Sequence, residues 1–233
     1  NEYEKSQSYF KFISEFKANN KSIISDTFYG IQKSLLTCMN CRRTKFAFQS
    51  FNLLIITLQK AFEYKIRNFI NKNYNLNLKE GLMSLTDIEY FTDDNMIYCN
   101  NCQALTKGQY QQFIYTAPEV LIFILNRGKG NKDFLGNFDF PLILDLRKFV
   151  QVPNSQKNYY FLIGVVSHIG PSSSFGHFIS YCRNNENSKF LCYNDDIVFP
   201  VDNENEVLGM NQSPNDSNAK IPYILFYQKM KMN

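Results

Sequence analysis

The sequence predicts an α+β fold in which a helix comes first and a mainly antiparallel sheet follows. Two observations predict it. Residues 5–17 repeat large apolar side chains at helical spacing, placing Tyr9, Phe12, Ile13 and Phe16 on one face. Beyond residue 110, runs of β-branched and aromatic residues follow one another without helical patterns of about 10–15 residues between them.

Taken in order, the first helix ends in Lys17-Ala18-Asn19-Asn20, a polar stop. Asp26 to Thr37 reads as a turn and strand leading into the first cysteines. Phe46 to Leu58, dense in aromatic and β-branched residues, reads as one long strand. Gln59 to Lys79 is polar and Asn-rich and reads as a loop or insertion, with a short helix expected over Leu85 to Phe91. The sheet is expected from Tyr110–Tyr115, Val120–Leu125, Tyr159–Val166, Phe178–Cys182, Phe190–Tyr193 and Pro222–Tyr227. Pro118, Gly128, Gly130, Pro141, Gly170-Pro171 and Pro200 punctuate these runs.

Composition narrows the function classes. Hydrophobic residues make up 44% and charged residues 20% of 233, which suits a packed domain and excludes a disordered one. The net charge of +4 is spread along the chain, with no basic stripe interleaved with aromatics, so a zinc-stabilised nucleic-acid-binding module is disfavoured. No run of about 18 apolar residues is present, so no membrane helix is expected. The first residues, Asn1-Glu2-Tyr3-Glu4-Lys5, do not resemble a signal peptide, and the absence of an initial Met suggests a fragment.

Four of the six cysteines form two Cys-x-x-Cys pairs, Cys38/Cys41 and Cys99/Cys102. Without a secretory signal, such spacing favours a metal over disulfides, and a cytoplasmic or nuclear setting. Two thiolates from each turn would complete a tetrahedral Zn²⁺ site. The Asn residues inside the turns suit the left-handed backbone that such knuckles use. Two unrelated turns, or a redox pair, are the competing readings.

His168 and His177 are the only histidines, separated by a Gly/Ser-rich segment between two strands. Gly176 beside His177 would let a ligand approach the ring closely. A hairpin would bring Tyr193-Asn194-Asp195-Asp196 next to His177 and give an acid–base residue its orienting partner. The competing reading is a Ser-rich loop that happens to carry a histidine, followed by a polar turn.

Together these segments resemble the ubiquitin-specific protease, or ubiquitin carboxyl-terminal hydrolase, family. The resemblance runs through Asn20–Gly30, both cysteine pairs, Pro118–Arg127, Phe140–Leu146, His168-Ile169-Gly170, Gly176–Tyr181 and Tyr193-Asn194-Asp195. It implies a papain-like cysteine protease shaped as thumb, fingers and palm. Residues 1–30 would end the thumb, residues 31–110 form zinc-binding fingers, and residues 111–233 form the palm. It also implies His177 as general base, Asn194 as its orienter, Asp195 as an auxiliary polar residue and His168 as structural. The segment Gly170 to Gly176 would be a mobile loop beside the channel for the ubiquitin tail. On an extended strand Asn194 and Asp195 would face opposite ways, and so play different parts. Cys38, Cys41, Cys99 and Cys102 would hold a structural Zn²⁺. Ubiquitin and ubiquitinated proteins would be the partners, together with a thumb segment that carries the nucleophilic cysteine. That family places its nucleophile well before the first zinc knuckle, where this sequence has no cysteine. The 233-residue chain is therefore expected to be inert alone, and a non-catalytic ubiquitin-binding protein of the same fold is the alternative.

Overall fold

The computed structural model describes residues 2–69, 75–128, 138–152, 158–172, 175–209 and 219–231. In chain order it contains α1 (Glu2–Asn19), α2 (Ile23–Phe28), β1 (Gly30–Cys38), β2 (Thr44–Phe51), β3 (Leu54–Thr57), α3 (Leu58–Asn68), β4 (Leu76–Asn77) and α4 (Leu78–Leu85). Next come β5 (Glu89–Phe91), β6 (Ile97–Cys99), β7 (Ala104–Thr106), β8 (Gly108–Thr116), β9 (Val120–Asn126), β10 (Phe138–Asp139) and β11 (Ile143–Asp145). The last part holds β12 (Tyr159–Ser172), β13 (Phe175–Arg183), β14 (Phe190–Asn194), β15 (Ile197–Pro200), α5 (Glu204–Val207) and β16 (Lys220–Lys229).

Two sheets dominate. One has the order β2-β1-β8-β5; the larger has the order β15-β14-β13-β12-β16-β9-β3, with β11 also on β12. Pairing is antiparallel throughout both except between β3 and β9, which run parallel. The core lies on the larger sheet, where alternate residues of β9 (Leu121, Phe123, Leu125) and of β16 (Leu225, Tyr227) are buried. Buried tyrosines keep their hydroxyls satisfied: Tyr160 donates to the Pro118 carbonyl and Tyr227 to the Pro141 carbonyl, each at 2.6 Å. Against the smaller sheet, α1 lays Tyr9 on Phe48 and Tyr115, with ring centroids 5.3 and 4.9 Å away.

The expected α+β fold is the one found, but three elements between the cysteine pairs differ. Phe46 to Leu58 is two strands, because the chain leaves the smaller sheet after Phe51 and joins the larger at Leu54. The expected loop over 59–79 is mostly helical outside its undescribed residues 70–74. In α3, Leu58, Ala61 and Lys65 recur at helical spacing and are buried beneath a polar composition. Lys65 is held in that setting by Glu80 at 3.0 Å and by the Asn75 carbonyl, which accepts from its ammonium at 2.5 Å. The helix α4 starts before the expected helix and has ended where that was placed. Its signal is Asn77-x-x-Glu80, a capping box in which Asn77 Oδ1 accepts from the Glu80 amide at 2.9 Å. The segment from Gly170 is strand up to Ser172, with β13 resuming at Phe175, rather than one continuous loop. Ser173, Ser174 and Gly130 lie outside the described residues.

Candidate active site and metal centre

The chain turns sharply at the end of β1 and again at the end of β6. In the first turn the Arg42 amide donates to the Cys38 carbonyl at 2.9 Å, and Arg42 takes a left-handed φ of 61°. In the second turn Gln103 has φ 53°. The left-handed residue thus follows the second cysteine in both knuckles. The Asn residues within the knuckles, Asn40, Asn100 and Asn101, do not carry it as the sequence suggests. Strands β1 and β8 pair Cys38 with Gly108, which delivers one knuckle onto the other.

The four sulfurs all lie within 4.8 Å of one another, with Cys38 to Cys102 at 3.9 Å and Cys41 to Cys99 at 3.7 Å. These separations exceed a disulfide of about 2.05 Å. They match thiolates about 2.3 Å from one tetrahedral ion, which lie about 3.8 Å apart. The donor set therefore fits a metal ion. Thr106 Oγ1, 3.2 Å from Cys38 Sγ, stabilises the thiolate and pulls that thiol down to about 6, helped by the backbone of Cys41. Thr106 belongs to no motif in the sequence; the pairing of Cys38 with Gly108 across β1 and β8 brings it there.

The second site is at the end of the larger sheet. Ser180 pairs with Tyr193, so Asn194 falls opposite Ile179 and diagonal to His177 on the same face. The side chains meet: His177 Nε2 is 2.6 Å from Asn194 Oδ1. An amide oxygen accepts, so Nε2 is the donor, and in the neutral ring that leaves the lone pair on Nδ1. Among the described residues Nδ1 has no hydrogen-bond partner.

Asp195 does not face away from Asn194. Asn194 pairs with Ile197 across a two-residue turn, and Asp195 takes φ 53°. The backbone leaves the strand there, and the alternation of an extended chain ends with it. Asp195 Oδ2 comes to 3.8 Å from the same His177 nitrogen. The His177 side chain is 41% exposed and that of Asp195 77%, so the carboxylate acts through a weak, screened field.

His168 is buried on β12, and burial, then the nearness of His177, holds its pKa below the usual histidine value. Neither remaining cysteine reaches His177. Cys182 lies five positions along β13, about 17 Å away and on the opposite face. Cys192 is buried opposite Tyr181, four positions away, about 13 Å. Burial raises the pKa of both thiols.

A half-buried metal-type cysteine cluster at the end of one sheet and an oriented imidazole at the end of the other define a class of protein, and the comparisons agree with it. The chain matches the ubiquitin carboxyl-terminal hydrolase family over residues 4–227, and it belongs to that family. It is similar to Ubiquitin carboxyl-terminal hydrolase 13 of Saccharomyces cerevisiae, 27% identical over 222 residues covering 93% of this chain and 27% of that protein. Ubiquitin carboxyl-terminal hydrolase 9 of the same yeast is 26% identical over 217 residues, covering 91% and 26%. This chain thus spans about a quarter of the length of these two relatives. Among solved structures, a chain of the yeast SAGA DUBm superposes with a TM-score of 0.71 at 24% identity, over 95% of this chain and 46% of that one. That likeness shows the fold. Among the described residues, no helix is long and apolar enough to cross a membrane.

Proposed function

We propose that this chain supplies the metal-binding and histidine-bearing part of a deubiquitinase that hydrolyses the bond after the C-terminal glycine of ubiquitin. The contact between His177 Nε2 and Asn194 Oδ1 carries the reading. An imidazole oriented through one nitrogen, with its other nitrogen free, is what a general base for a thiol requires. In this reaction Nδ1 takes the proton of a cysteine thiol, and the thiolate attacks the glycine carbonyl carbon. The imidazolium returns the proton to the leaving amine, and the acyl-enzyme is then opened by water deprotonated by the same ring. Asn194 orients without adding charge, and Asp195 adds a weak, screened charge beside the same nitrogen.

The nucleophile in this proposal comes from sequence outside the 233 residues, because Cys182 and Cys192 are out of reach and the other four cysteines form the metal-type cluster. Residues 1–30, 31–110 and 111–233 serve as the end of the thumb, the fingers and the palm. Cys38, Cys41, Cys99 and Cys102 hold one Zn²⁺ in the fingers. Four protein ligands leave that ion no open position for water, so its part is structural. Ubiquitinated proteins of the cytoplasm or nucleus are the proposed substrates.

The test uses a ubiquitin probe that traps active cysteines. The isolated chain should stay unlabelled, whereas a protein joining it to a cysteine-bearing thumb should be labelled and turn over a ubiquitin–fluorophore conjugate. Labelling of the isolated chain at Cys182 or Cys192 would overturn the assignment. A joined protein that binds ubiquitin without hydrolysis would instead mark a non-catalytic ubiquitin binder.

A further inference from the structure

The backbone that carries His177 is pressed against a second imidazole. Strands β12 and β13 pair His168 with Phe178 and Ile169 with His177, and the register slips between Ile169 and Ser172. By the alternation of strand side chains, His168, Gly170, Gly176 and Phe178 lie on one face and His177 on the other. The His168 ring therefore sits behind the base, not beside it.

The packing there is too tight for any residue but glycine. A Cβ on Gly176 would lie 2.3 Å from both Cε1 and Nε2 of His168 and 2.4 Å from the Ile169 carbonyl oxygen. A Cβ on Gly170 would lie 2.4 Å from the Phe175 oxygen and 3.2 Å from His168 Cε1. Both glycines have positive φ, 155° at Gly170 and 159° at Gly176, which side-chain-bearing residues rarely adopt. Gly176 thus makes room for His168, where the sequence alone suggested room for a ligand. Two adjacent glycines would leave the base on a soft support unless something filled the space over them. His168 fills it, and is itself only 4% exposed. Its ring meets Phe178 edge-on at 4.9 Å and Tyr223 at 5.9 Å. Tyr223 in turn lies 5.6 Å from the Arg127 guanidinium, which donates through Nε and Nη2 to the Pro222 carbonyl at 3.1 and 2.9 Å.

We propose that His168 is a positioning residue for hydrolysis. Its imidazole, wedged over Gly170 and Gly176, fixes the backbone of His177 so that Nε2 stays on Asn194 and Nδ1 stays aimed at the thiol. The inference rests on the proposed role of His177 and adds a cause for the geometry seen there. Misplacing a catalytic group by about 1 Å costs about a hundredfold in rate, so a support of this kind affects turnover without touching substrate.

The experiment uses the protein that carries this chain together with a nucleophilic cysteine, assayed on a ubiquitin–fluorophore conjugate. His168→Ala empties the space, and His168→Gln keeps much of the volume and guards against misfolding. In each, kcat should fall about 10- to 100-fold with KM within about twofold. Imidazole ¹⁵N spectra should show His177 losing its single Nε2–H tautomer, a change that mere loss of stability does not produce in the folded fraction. Wild-type kcat in folded His168→Gln would overturn the proposal, as would a raised KM with kcat unchanged, which would make His168 a substrate contact. His177→Ala separates the two readings. If it turns over normally, the base assignment itself fails; if it is inactive while His168→Gln is fully active, only the positioning role falls.

Discussion

At the cysteine cluster two turns of the same shape face one another, whereas at the histidine two neighbouring strands of one sheet meet at their ends. In the first, all four ligand atoms come from described residues, and two of the cysteines, Cys38 and Cys99, are buried. In the second, His177 is 41% exposed and its Nδ1 points to no partner among the described residues. A closed donor set stores folding energy, because the ion binds only when both knuckles are in place. An open imidazole stores little. Its worth lies in a proton transfer that awaits another group. Each region should therefore respond to substitution in a different observable.

The largest effect is expected in the cluster. Cys99→Ser, or stripping of the metal with a strong chelator, should lower stability by several kcal/mol, read from denaturant unfolding, and metal analysis should find about one zinc per chain. Protein purified without chelator that holds no zinc and unfolds as before would remove the contrast between the regions.

At the other site the same kind of measurement should be nearly silent. His177→Ala should change unfolding free energy by no more than about 0.5 kcal/mol, as for an exposed side chain. In the protein joined to its nucleophile it should lower kcat at least about a thousandfold, about 4 kcal/mol in the barrier, with ubiquitin affinity kept. Within the site the two polar neighbours should differ. Asn194→Ala degrades the hydrogen bond at 2.6 Å and should cost about 10- to 100-fold in kcat, while Asp195→Asn removes only a screened charge and should cost a few-fold, less at high salt. A larger loss from Asp195→Asn would invert the assignment of orienter and auxiliary.

The smallest effect concerns His168 and pH. Burial first, and His177 second, hold its pKa below the ordinary histidine value. A histidine with a depressed folded pKa binds more protons when unfolded. Its contribution to stability is then complete above about pH 6.5 and is lost as pH falls through the folded pKa. Thermal unfolding between about pH 7.5 and 5 should show wild type losing more stability on acidification than His168→Gln, whose amide does not titrate. Parallel curves for the two proteins would mean that His168 carries no such linkage.

The helix α1, the strands β8, β9, β12 to β14 and β16, and the four cysteines as one group were legible as sequence, because each is written in local period or spacing. Helix α3 was hidden by composition, since Asn and Lys suggested a loop while Leu58, Ala61 and Lys65 kept a helical period. The break after Phe51 was hidden because both halves are good strand sequence and only the sheet they join differs. The pairing of His177 with Asn194 needed a hairpin register, which the sequence suggested; the approach of Asp195 needed a left-handed turn residue, which it did not.

What the sequence by itself determined is the chemistry available: four soft thiolates in two pairs, one imidazole followed by an amide and a carboxylate, and two glycines between it and a second imidazole. Tertiary structure alone decided which of these meet. Thr106 reaches Cys38, and His168 fills the space over Gly176, through strand pairings between residues distant in sequence or across a slipped register. Local propensity fixes elements, but contacts a few ångströms long depend on how separate elements pack, and no local pattern encodes that.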